Sequence, residues 1–213
     1  MIAFILAAGA STRLKPYTLN KHKSLIEVLD NKKIIDIELK NLRDNGVRDV
    51  VIAVGHFKEK IETYVKSNYS DMNFIFVNNE KYGSTNCIYS MWLCRKHLNE
   101  DMIFLTGDLV FESKVIKEMI YSKFNNIMYV NSEAEINEKN FKVEVGNNGF
   151  IKEIGVNLFG KNVKMAYPLY KLSKPAIQIW MKEIDNYIQQ DKTNLYGEIA
   201  FNNVADKINL MPM

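Results

Sequence analysis

A glycine-containing loop near the N-terminus combines small residues with positive charge. Its first four residues are Ala7, Ala8, Gly9 and Ala10. Because these residues have almost no side chain, a ligand can approach the backbone closely, and its phosphate oxygens can face the N–H groups. Ser11 and Thr12 add hydroxyl donors, and Arg13 supplies a planar guanidinium that suits phosphate oxygens. Lys23 supplies a second cation at the far end of the loop, so this segment predicts a binding site for a phosphorylated ligand.

This loop differs from the best-known phosphate-binding motifs. The glycine fingerprint of dinucleotide-binding domains, G-x-G-x-x-G, is absent, and so is the P-loop pattern G-x-x-x-x-G-K-[ST]. A connecting loop whose Arg and Lys side chains are merely solvated is therefore an open alternative at this point.

An acidic residue follows a second apolar run, in the sequence LTGD. Asp108 comes just after the run 102–105 and would therefore stand at the carboxyl end of a buried strand. Open α/β sheets bind ligands at that end of their strands, which is also where the first loop begins. Mg²⁺ takes one or two carboxylates together with phosphate oxygens, so Asp108 is a candidate magnesium ligand. Asp is also a common turn residue, which is the alternative for this position.

Strands and helices in alternation must position these groups. Short apolar runs predict buried strands at 2–6, 49–54, 73–77, 102–105 and 126–130. Helical patterns occupy 34–45, 57–65 and 88–98, and a further helix starts at Ser113. This alternation indicates parallel strands joined by right-handed crossovers. We therefore expect an α/β fold, Rossmann-like, with a mixed, mostly parallel sheet flanked by helices.

The pattern changes after Asn131. Residues 141–145 and 150–154 flank an Asn-Asn-Gly turn and predict a β-hairpin. The strand at 163–172 contains Pro168, which predicts a sheet edge or a bulge. Two closing helices are predicted, at 175–190 and at about 196–207. We expect one domain over residues 1–213, in which 1–131 form the core that binds the phosphorylated ligand and 132–213 supply a small antiparallel β insert and the closing helices.

The composition limits the classes of function. The 213 residues are 47% hydrophobic and 25% charged, with a net charge of +3, which lacks the basic excess of a nucleic-acid binder. No apolar run reaches the roughly 20 residues of a membrane span, and the start lacks the basic region of a signal peptide. Cys87 and Cys94 lie about 10 Å apart along a predicted helix, too far for a disulfide. We expect a cytoplasmic protein with reduced thiols and no membrane insertion.

The first loop resembles the signature of the nucleotidyltransferase family, which includes sugar-1-phosphate nucleotidylyltransferases and phosphocholine cytidylyltransferases. In that signature, L-A-A-G is followed by Arg-Leu, a Pro, a Thr and then Pro-Lys. The matching residues are Leu6, Ala7, Ala8, Gly9, Arg13, Leu14, Pro16, Thr18 and Lys23. Two positions differ. The second glycine of the family is Ser11 or Thr12 here, and the Pro before the lysine is His22, a change that can alter how Lys23 is presented.

The resemblance implies a division of labour along this loop. The backbone from Leu6 through Gly9 would hold the base and ribose of a nucleotide, and residues 10–13 would wrap its triphosphate. Lys23 would contact the α-phosphate, and Asp108 would hold Mg²⁺. Lys23, Arg13 and Asp108 are thus the expected catalytic residues.

A second segment, NEKYGSTNCIYSMW at 79–92, indicates the branch of the family. Its Tyr, Thr-Asn and Tyr-Ser steps resemble the phosphocholine and phosphonate cytidylyltransferases, where this segment helps to recognise the nucleotide and borders the acceptor. The residues that carry the resemblance are Tyr82, Thr85, Asn86 and Ser90. It implies CTP as the donor and nucleotide contacts from Asn79, Tyr82, Thr85 and Asn86. Helix capping by Ser84, Thr85 or Asn86 is the structural alternative.

The acceptor and a second metal ligand are expected from the C-terminal third. The segment NLYGEIAFNN at 194–203 resembles a late segment of the phosphocholine-type enzymes in which an acidic residue completes the metal site. Glu198 stands at that position, and a solvated helix Glu is the alternative. The acceptor candidates are Lys142, Tyr167, Tyr196 and Glu198. A choline-like cation favours aromatic faces and a nearby carboxylate, although hairpin packing also explains each tyrosine.

These features predict a Mg²⁺-dependent cytidylyltransferase that moves CMP from CTP to a small phosphorylated acceptor and releases pyrophosphate. The acceptor would resemble phosphocholine, an aminoalkylphosphonate or a phosphorylated amino acid, and such products usually decorate bacterial surface polysaccharides or lipids. No protein nucleophile is required, because a phosphate acceptor is already mostly dianionic near pH 7. Consistently, no Ser-His-Asp or Cys-His set stands out, and His56 is expected to be solvated or packed near the rim.

Two other functions stay open. A sugar-1-phosphate nucleotidyltransferase shares the first loop, but this chain ends soon after the core, with no room for a long C-terminal domain. A nucleotide-binding sensor without catalysis is disfavoured, because Asp108, Lys23 and Arg13 are all present. The sequence leaves the oligomeric state open.

Overall fold

A computed structural model describes all residues from Met1 to Met213. The strands are β1 (Ile2–Ala7), β2 (Glu27–Leu29), β3 (Lys32–Lys33), β4 (Asp49–Val54), β5 (Asn73–Asn78), β6 (Met102–Thr106), β7 (Ile127–Asn131), β8 (Lys142–Val145), β9 (Ile151–Gly155), β10 (Val163–Leu172) and β11 (Met211–Pro212). The α-helices are α1 (Ile34–Asp44), α2 (Lys58–Asn68), α3 (Cys87–Cys94), α4 (Ser113–Tyr121), α5 (Lys174–Gln189), α6 (Gly197–Asn202) and α7 (Ala205–Ile208).

Nine of the strands form one mixed sheet. Its main path runs β11-β7-β10-β6-β1-β4-β5. Strands β6, β1, β4 and β5 are parallel neighbours, whereas β10 runs antiparallel between β6 and β7. The hairpin β8–β9 joins the same sheet through β10. The expected α/β fold with a mostly parallel sheet and an antiparallel part in the C-terminal third is confirmed.

Helices cover both faces of the sheet, which explains why its central strands are apolar at every position. In β1, Phe4 and Leu6 pack on the face covered by α3, α5, α6 and α7. Ala3, Ile5 and Ala7 pack on the opposite face, under α1, α2 and α4. A parallel strand buried on both faces has no position where a polar side chain would be solvated. The continuous apolar run is therefore the signal of a central strand.

Strand β10 shows how the sheet accommodates Pro168. The register of β10 against β7 shifts between Ala166 and Tyr170, which places the proline inside a bulge. A proline cannot donate a hydrogen bond to a neighbouring strand, so an unpaired, bulged stretch accommodates it. The bulge alternative is confirmed, and the edge alternative is wrong, because β10 has strands on both sides.

Several elements differ from the sequence-based expectation. The single helix predicted at 196–207 is two short helices, α6 and α7. The two-stranded sheet β2–β3 and the edge strand β11 were not predicted. Cys87 and Cys94 are free thiols, as their spacing indicated. No helix combines the length and the apolar character that crossing a membrane requires.

Candidate functional site

The loop after β1 and the loop after β6 meet at one edge of the sheet, because β1 and β6 are parallel neighbours. There, Lys23 Nζ lies 2.5 Å from Asp108 Oδ2. The two side chains are 18% and 36% exposed, respectively. The structure therefore brings together two of the residues that were expected to act on a nucleotide.

The carboxyl group of Asp108 is held in its ionised form. Burial by itself would raise its pKa, but the charge and the hydrogen bond of Lys23 outweigh that effect, with smaller contributions from Thr106 and Arg13. The net result is a pKa below the usual value. An ionised carboxylate at the strand edge is the form that a divalent cation needs.

The loop after β1 (residues 8–23), named the phosphate loop for the ligand expected from its sequence, is ordered by its own hydroxyl groups. Thr18 Oγ1 donates to the carbonyl of Ser11 at 2.8 Å, and Ser11 Oγ accepts from the backbone N–H of Lys23 at 3.4 Å. Ser11 adopts the left-handed backbone conformation, with φ of 57°. A glycine adopts that conformation without strain, so of the two positions where the family signature can have its second glycine, Ser11 and Thr12, the backbone at Ser11 is the one that favours it. A Cβ atom added to Gly9 would meet no atom of the protein within 4 Å.

His22 replaces the proline that precedes the lysine in the family signature. Its ring is fully buried, and Nδ1 accepts from the backbone N–H of Ser24 at 3.2 Å. This bond caps the short 3₁₀ turn that begins at Lys23. Burial, and then the positive charge of Lys23, lower the pKa of His22 to about 4, so the ring is neutral near pH 7. His22 thus fixes the backbone that presents Lys23.

Gly55 packs closely against the first loop and against Tyr82. A Cβ atom on Gly55 would lie 2.6 Å from the carbonyl oxygen of Ala8 and 2.9 Å from Cβ of Tyr82, so only glycine fits there. His56 Nδ1 and the hydroxyl of Tyr82 form a hydrogen bond of 3.2 Å. Gly55 was not among the expected site residues, and its position directly after β4 at the sheet edge was the available signal. His56 is packed near the rim, as expected.

Asn79 organises the second segment from inside. Its side chain is buried, and Nδ2 donates to Thr85 Oγ1 at 3.1 Å and to Ser90 Oγ at 3.0 Å. Its Oδ1 accepts from the backbone N–H of Lys81 at 2.9 Å. Asn86 Oδ1 accepts from the N–H of Cys87 and caps α3, so the capping alternative holds for Asn86. The nucleotide contacts expected from Asn79, Tyr82, Thr85 and Asn86 stay predictions.

Glu198 lies in the core that faces α3 and α5. It is 5% exposed, and its Oε1 accepts from the hydroxyl of Tyr170 at 3.0 Å. Burial raises the pKa of Glu198, against the opposing effect of its hydrogen bonds. The alternative of a solvated helix Glu is wrong, because this side chain is buried. Its role as a second metal ligand stays a prediction.

The expected acceptor residues occupy different surroundings. Lys142 is fully buried; its Nζ donates to the carbonyl of Asn137 at 3.1 Å and lies 4.0 Å from the ring centre of Phe159. Tyr167 lines a cleft of about 800 Å³, which Lys142, Tyr196 and Glu198 do not line. Tyr196 is half exposed and precedes α6. No hydrogen bond or salt bridge joins Lys142, Tyr167 and Tyr196, and their role toward the acceptor stays a prediction.

The residues present fit a magnesium ion bound together with a nucleotide. No group of three or more His, Cys, Asp or Glu side chains forms a metal cage. Mg²⁺ seldom uses such a cage, because it is usually held by one or two carboxylates, water and substrate phosphates. Asp108, ionised and partly exposed beside the phosphate loop, suits that arrangement.

Comparison with protein families agrees with this geometry. Residues 2–152 match the model of the family described as nucleotidyl transferase. The match covers both loops of the site, including Lys23 and Asp108, and all the strands from β1 to β8.

Two curated relatives are cytidylyltransferases. The choline-phosphate cytidylyltransferase of Streptococcus pneumoniae is 32% identical over 127 residues, which are 60% of this chain and 53% of the relative. The CTP:phosphoglutamine cytidylyltransferase of Campylobacter jejuni is 30% identical over 129 residues, which are 58% of this chain and 49% of the relative. The matches therefore span about half the length of these relatives.

The fold has a solved counterpart. The structure of the CTP:phosphocholine cytidylyltransferase from Streptococcus pneumoniae superposes with a TM-score of 0.77 at 21% identity. The superposition covers 100% of this chain and 89% of that one. At this identity, the likeness establishes a shared fold.

Proposed function

This chain belongs to the nucleotidyl transferase family, and from that we propose that it transfers CMP from CTP to a small phosphorylated acceptor and releases pyrophosphate. The observation that carries the proposal is the pairing of Lys23 with Asp108, within 2.5 Å, beside a loop of small residues. One cation and one ionised carboxylate at this edge of the sheet match what a nucleoside triphosphate and its divalent cation require.

The reaction is an in-line displacement. A phosphate oxygen of the acceptor attacks the α-phosphorus of CTP and forms the new P–O bond. The bond from the α-phosphorus to the oxygen bridging to the β-phosphate breaks, and pyrophosphate leaves with the electron pair. The attacking oxygen is already ionised near pH 7, so no protein base is needed. The oxygen that bridges to the β-phosphate becomes negatively charged as its bond breaks and leaves as part of pyrophosphate, so no protein acid is needed. The protein contributes position and charge compensation.

The chain's own groups have distinct tasks in this reaction. The N–H groups of the first loop hold the nucleotide, and Arg13 binds the leaving phosphates through its guanidinium. Lys23 offsets the charge that develops at the α-phosphate. Asp108 and Glu198 would hold Mg²⁺, and the bound ion would neutralise charge on the phosphates. Ser11 and His22 keep the backbone around Lys23 in place.

CTP is the proposed donor, and the acceptor is a phosphorylated molecule of the phosphocholine, aminoalkylphosphonate or phospho-amino-acid type. The support is the segment from Tyr82 to Ser90 and the two cytidylyltransferase relatives, one named for choline phosphate and one for phosphoglutamine. Lys142, Tyr167 and Tyr196 are the proposed acceptor contacts, with Lys142 for an anionic group and the tyrosines for a cationic one. A cytoplasmic location and a role in surface polysaccharide modification are parts of the same proposal.

A matrix of donors and acceptors tests the proposal. Pyrophosphate release is measured with CTP, UTP, ATP and GTP in the presence of Mg²⁺. The acceptors are phosphocholine, phosphoethanolamine, 2-aminoethylphosphonate, phosphorylated amino acids and glucose-1-phosphate. We expect turnover with CTP and one non-sugar acceptor, and its loss in Asp108→Ala. Turnover with a sugar phosphate alone would replace the proposal by the sugar-nucleotide function. Nucleotide binding without turnover for any pair would contradict it in favour of a sensor.

A further inference from the structure

Helix α1 holds the loop that carries Asp108 through three polar side chains on one face. Glu38 Oε1 accepts from the backbone N–H of Leu109 at 3.0 Å. Asn41 Nδ2 donates to the carbonyl of Phe111 at 2.8 Å. Asn45, which caps the end of α1, donates from Nδ2 to Ser113 Oγ at 3.0 Å. These three bonds are called the α1 ladder below.

The three side chains of the α1 ladder span a distance similar to that of the three residues that they bind. Positions 38, 41 and 45 are separated by three and four residues and therefore lie on one side of a helix. They span about 10 Å along the axis at ~1.5 Å per residue. Residues 109 and 111 are alternate positions of the irregular segment before α4, and Ser113 is the first residue of α4; in extended form 109–113 span about 13 Å at ~3.3 Å per residue. The loop is thus fixed along its whole length rather than at one point.

Glu38 is the unusual member of the α1 ladder. It lies among Ile34, Ile35, Leu39 and Leu42 on the apolar side of α1 and is fully buried. Its second oxygen, Oε2, is also buried and has no hydrogen-bond partner. A buried carboxyl group costs stability unless its polar atoms are paired, so a leucine here would suit the helix better. The position is therefore explained by what Glu38 does for Leu109, the residue that follows Asp108.

The main chain at Asp108 has few other restraints. The N–H of Asp108 bonds only to the carbonyl of Thr106, at 2.8 Å, and the N–H of Gly107 bonds to the carbonyl of Leu6 at 2.9 Å. Beyond Asp108, the bond from Leu109 to Glu38 is the next tie to the body of the protein. A shift of Leu109 would rotate the Asp108 carboxylate away from Lys23 and the phosphate loop.

We infer that Glu38 is a positioning residue that, through the N–H of Leu109, sets the direction in which Asp108 presents its carboxylate to the divalent cation and the nucleotide. Asn41 and Asn45 support the same loop farther from Asp108. This inference rests on the proposed nucleotidyl transfer, because it assigns to Asp108 the role given there. It adds a residue of α1, outside every loop of the site, to the determinants of the reaction.

Two substitutions of equal length isolate the bond to Leu109. Glu38→Gln keeps a carbonyl oxygen that accepts from Leu109, whereas Glu38→Met fills the same space without an acceptor. Both remove the carboxyl group, and they differ at Leu109 in whether an acceptor oxygen remains; Gln also places an amide N–H₂ group where Oε2 has no partner. We expect Glu38→Gln to stay within about threefold of wild-type kcat. We expect Glu38→Met to lose about 10- to 100-fold in kcat and to need a higher Mg²⁺ concentration, since a misplacement near 1 Å costs that much.

The exchange rate of the Leu109 amide hydrogen, measured by NMR, gives a readout that does not depend on activity. It should stay slow in Glu38→Gln and become at least tenfold faster in Glu38→Met, while amides of β6 keep their protection. A second such readout is the paramagnetic broadening of the Asp108 amide by Mn²⁺ alone. We expect broadening in the wild type and in Glu38→Gln, and a higher Mn²⁺ requirement in Glu38→Met.

Asn126→Ala is the control for a general loss of stability, because it removes the bonds of Asn126 to the carbonyl of Ile208 and the N–H of Ser173, at the edge of the sheet opposite Asp108. It should lower the melting temperature and leave kcat and the Leu109 exchange rate unchanged. If Glu38→Met does not fold, Asn41→Leu removes the neighbouring bond, and an intermediate loss of kcat with faster Leu109 exchange is then expected.

Three results would overturn the inference. The first is equal loss of kcat in Glu38→Gln and Glu38→Met. The second is unchanged kcat and Mg²⁺ requirement in Glu38→Met despite fast exchange at Leu109. The third is an Asp108 amide that Mn²⁺ does not broaden in the wild type. Absence of turnover with every substrate pair would instead contradict the proposed function, and the exchange and Mn²⁺ measurements would still decide the role of Glu38.

Discussion

The ammonium group of Lys23 lies 2.5 Å from a carboxylate oxygen of Asp108, although 85 positions separate the two residues in the chain. They meet because β1 and β6 are parallel neighbours, so the loops that follow these strands leave the sheet at the same edge. Each charge compensates the other, and the pKa of Asp108 lies below its usual value in consequence. This pair is the centre of the proposed site. The first test measures separately what Lys23 contributes to catalysis and what it contributes to stability.

Replacing Lys23 by Met should reduce catalysis far more than stability. Loss of one charged group that stabilises a transition state typically costs about 10²- to 10³-fold in kcat. The pair is partly exposed, so its contribution to the free energy of unfolding should be small. Steady-state rates of pyrophosphate release and urea unfolding measure the two effects. The matched control is Lys15→Met, which removes an exposed lysine of the same loop and should leave kcat within about twofold.

The pKa of Asp108 gives an independent check on the same variant. Without Lys23, burial is the dominant influence that remains, so the pKa of the Asp108 carboxyl should rise. An NMR titration of the side-chain carboxyl carbon follows this directly. An unchanged pKa in Lys23→Met would contradict the ion pair as the cause of the depression.

Substitution by alanine should affect ligand binding at Gly9 and stability at Gly55. Gly9→Ala adds a Cβ atom that meets no protein atom, so the variant should fold with nearly wild-type stability. Its methyl group would occupy the space that a nucleotide needs, and the affinity for CTP should fall by about tenfold or more. Gly55→Ala would force a Cβ atom to within 2.6 Å of the Ala8 carbonyl and should be destabilised by ~1–3 kcal/mol.

Calorimetric CTP titration and thermal unfolding of both variants distinguish these effects. A Gly9→Ala variant with normal CTP affinity would show that the ligand does not approach this backbone. A Gly55→Ala variant with normal stability would show that the Ala8 carbonyl and Tyr82 both move aside without cost.

The central strands could be predicted from the sequence because their buried environment allows only apolar side chains. A strand covered by helices on both faces is apolar throughout, and β1, β4 and β6 have that character. The hairpin β2–β3 was missed because its residues are mostly exposed, so no apolar alternation marks it. Its signal was the turn pair Asp30 and Asn31, both left-handed with φ of 48° and 59°, as two-residue hairpins require.

The sequence predicted the central pair of the candidate site, which lies on loops, but not Glu38, which lies on helix α1. Lys23 and Asp108 were found because a recognisable loop and a strand end carry them. Glu38 was missed because it belongs to a helix, where a charged residue is normally read as solvated. An available signal was its place in the apolar stripe, four residues after Ile34 and four before Leu42. Contacts such as Glu38 with Leu109 depend on how α1 packs, which local patterns do not specify.

His22 should make the protein less stable as the pH falls from 7 to 5. Its pKa is near 6.5 in the unfolded chain and about 4 in the folded one, so only the unfolded chain takes up a proton in this range. The stabilisation is complete above pH 6.5 and is lost as the pH falls toward 4. The loss between pH 7 and 5 should be about 2 kcal/mol.

His22→Asn isolates this contribution, because Asn also caps the turn at Ser24 but does not titrate. Urea unfolding at pH 7 and pH 5 should show a smaller pH-dependent loss in the variant than in the wild type, by about 2 kcal/mol. Equal losses in both proteins would mean that the buried ring of His22 is not the group that titrates.

Glu198 should lower the stability of the folded protein and lower the Mg²⁺ concentration that the reaction requires. Burial raises its pKa, so the folded protein holds a proton that the unfolded chain releases, and stability falls as the pH rises above the usual glutamate value. Glu198→Gln keeps an oxygen that accepts from Tyr170 and removes the titrating group, so the variant should be at least as stable as the wild type at pH 8. If Glu198 is the second metal ligand, the same variant should need a several-fold higher Mg²⁺ concentration for half-maximal rate.

Tyr170→Phe is the matched comparison, because it removes the hydroxyl that donates to Glu198 and leaves the carboxyl group in place. It should lower stability by ~1–3 kcal/mol, since a buried oxygen loses its partner. Its Mg²⁺ requirement should change less than that of Glu198→Gln. A Glu198→Gln variant that is less stable than the wild type and has an unchanged Mg²⁺ requirement would make Glu198 a structural residue, held in the core by Tyr170 and the start of α6.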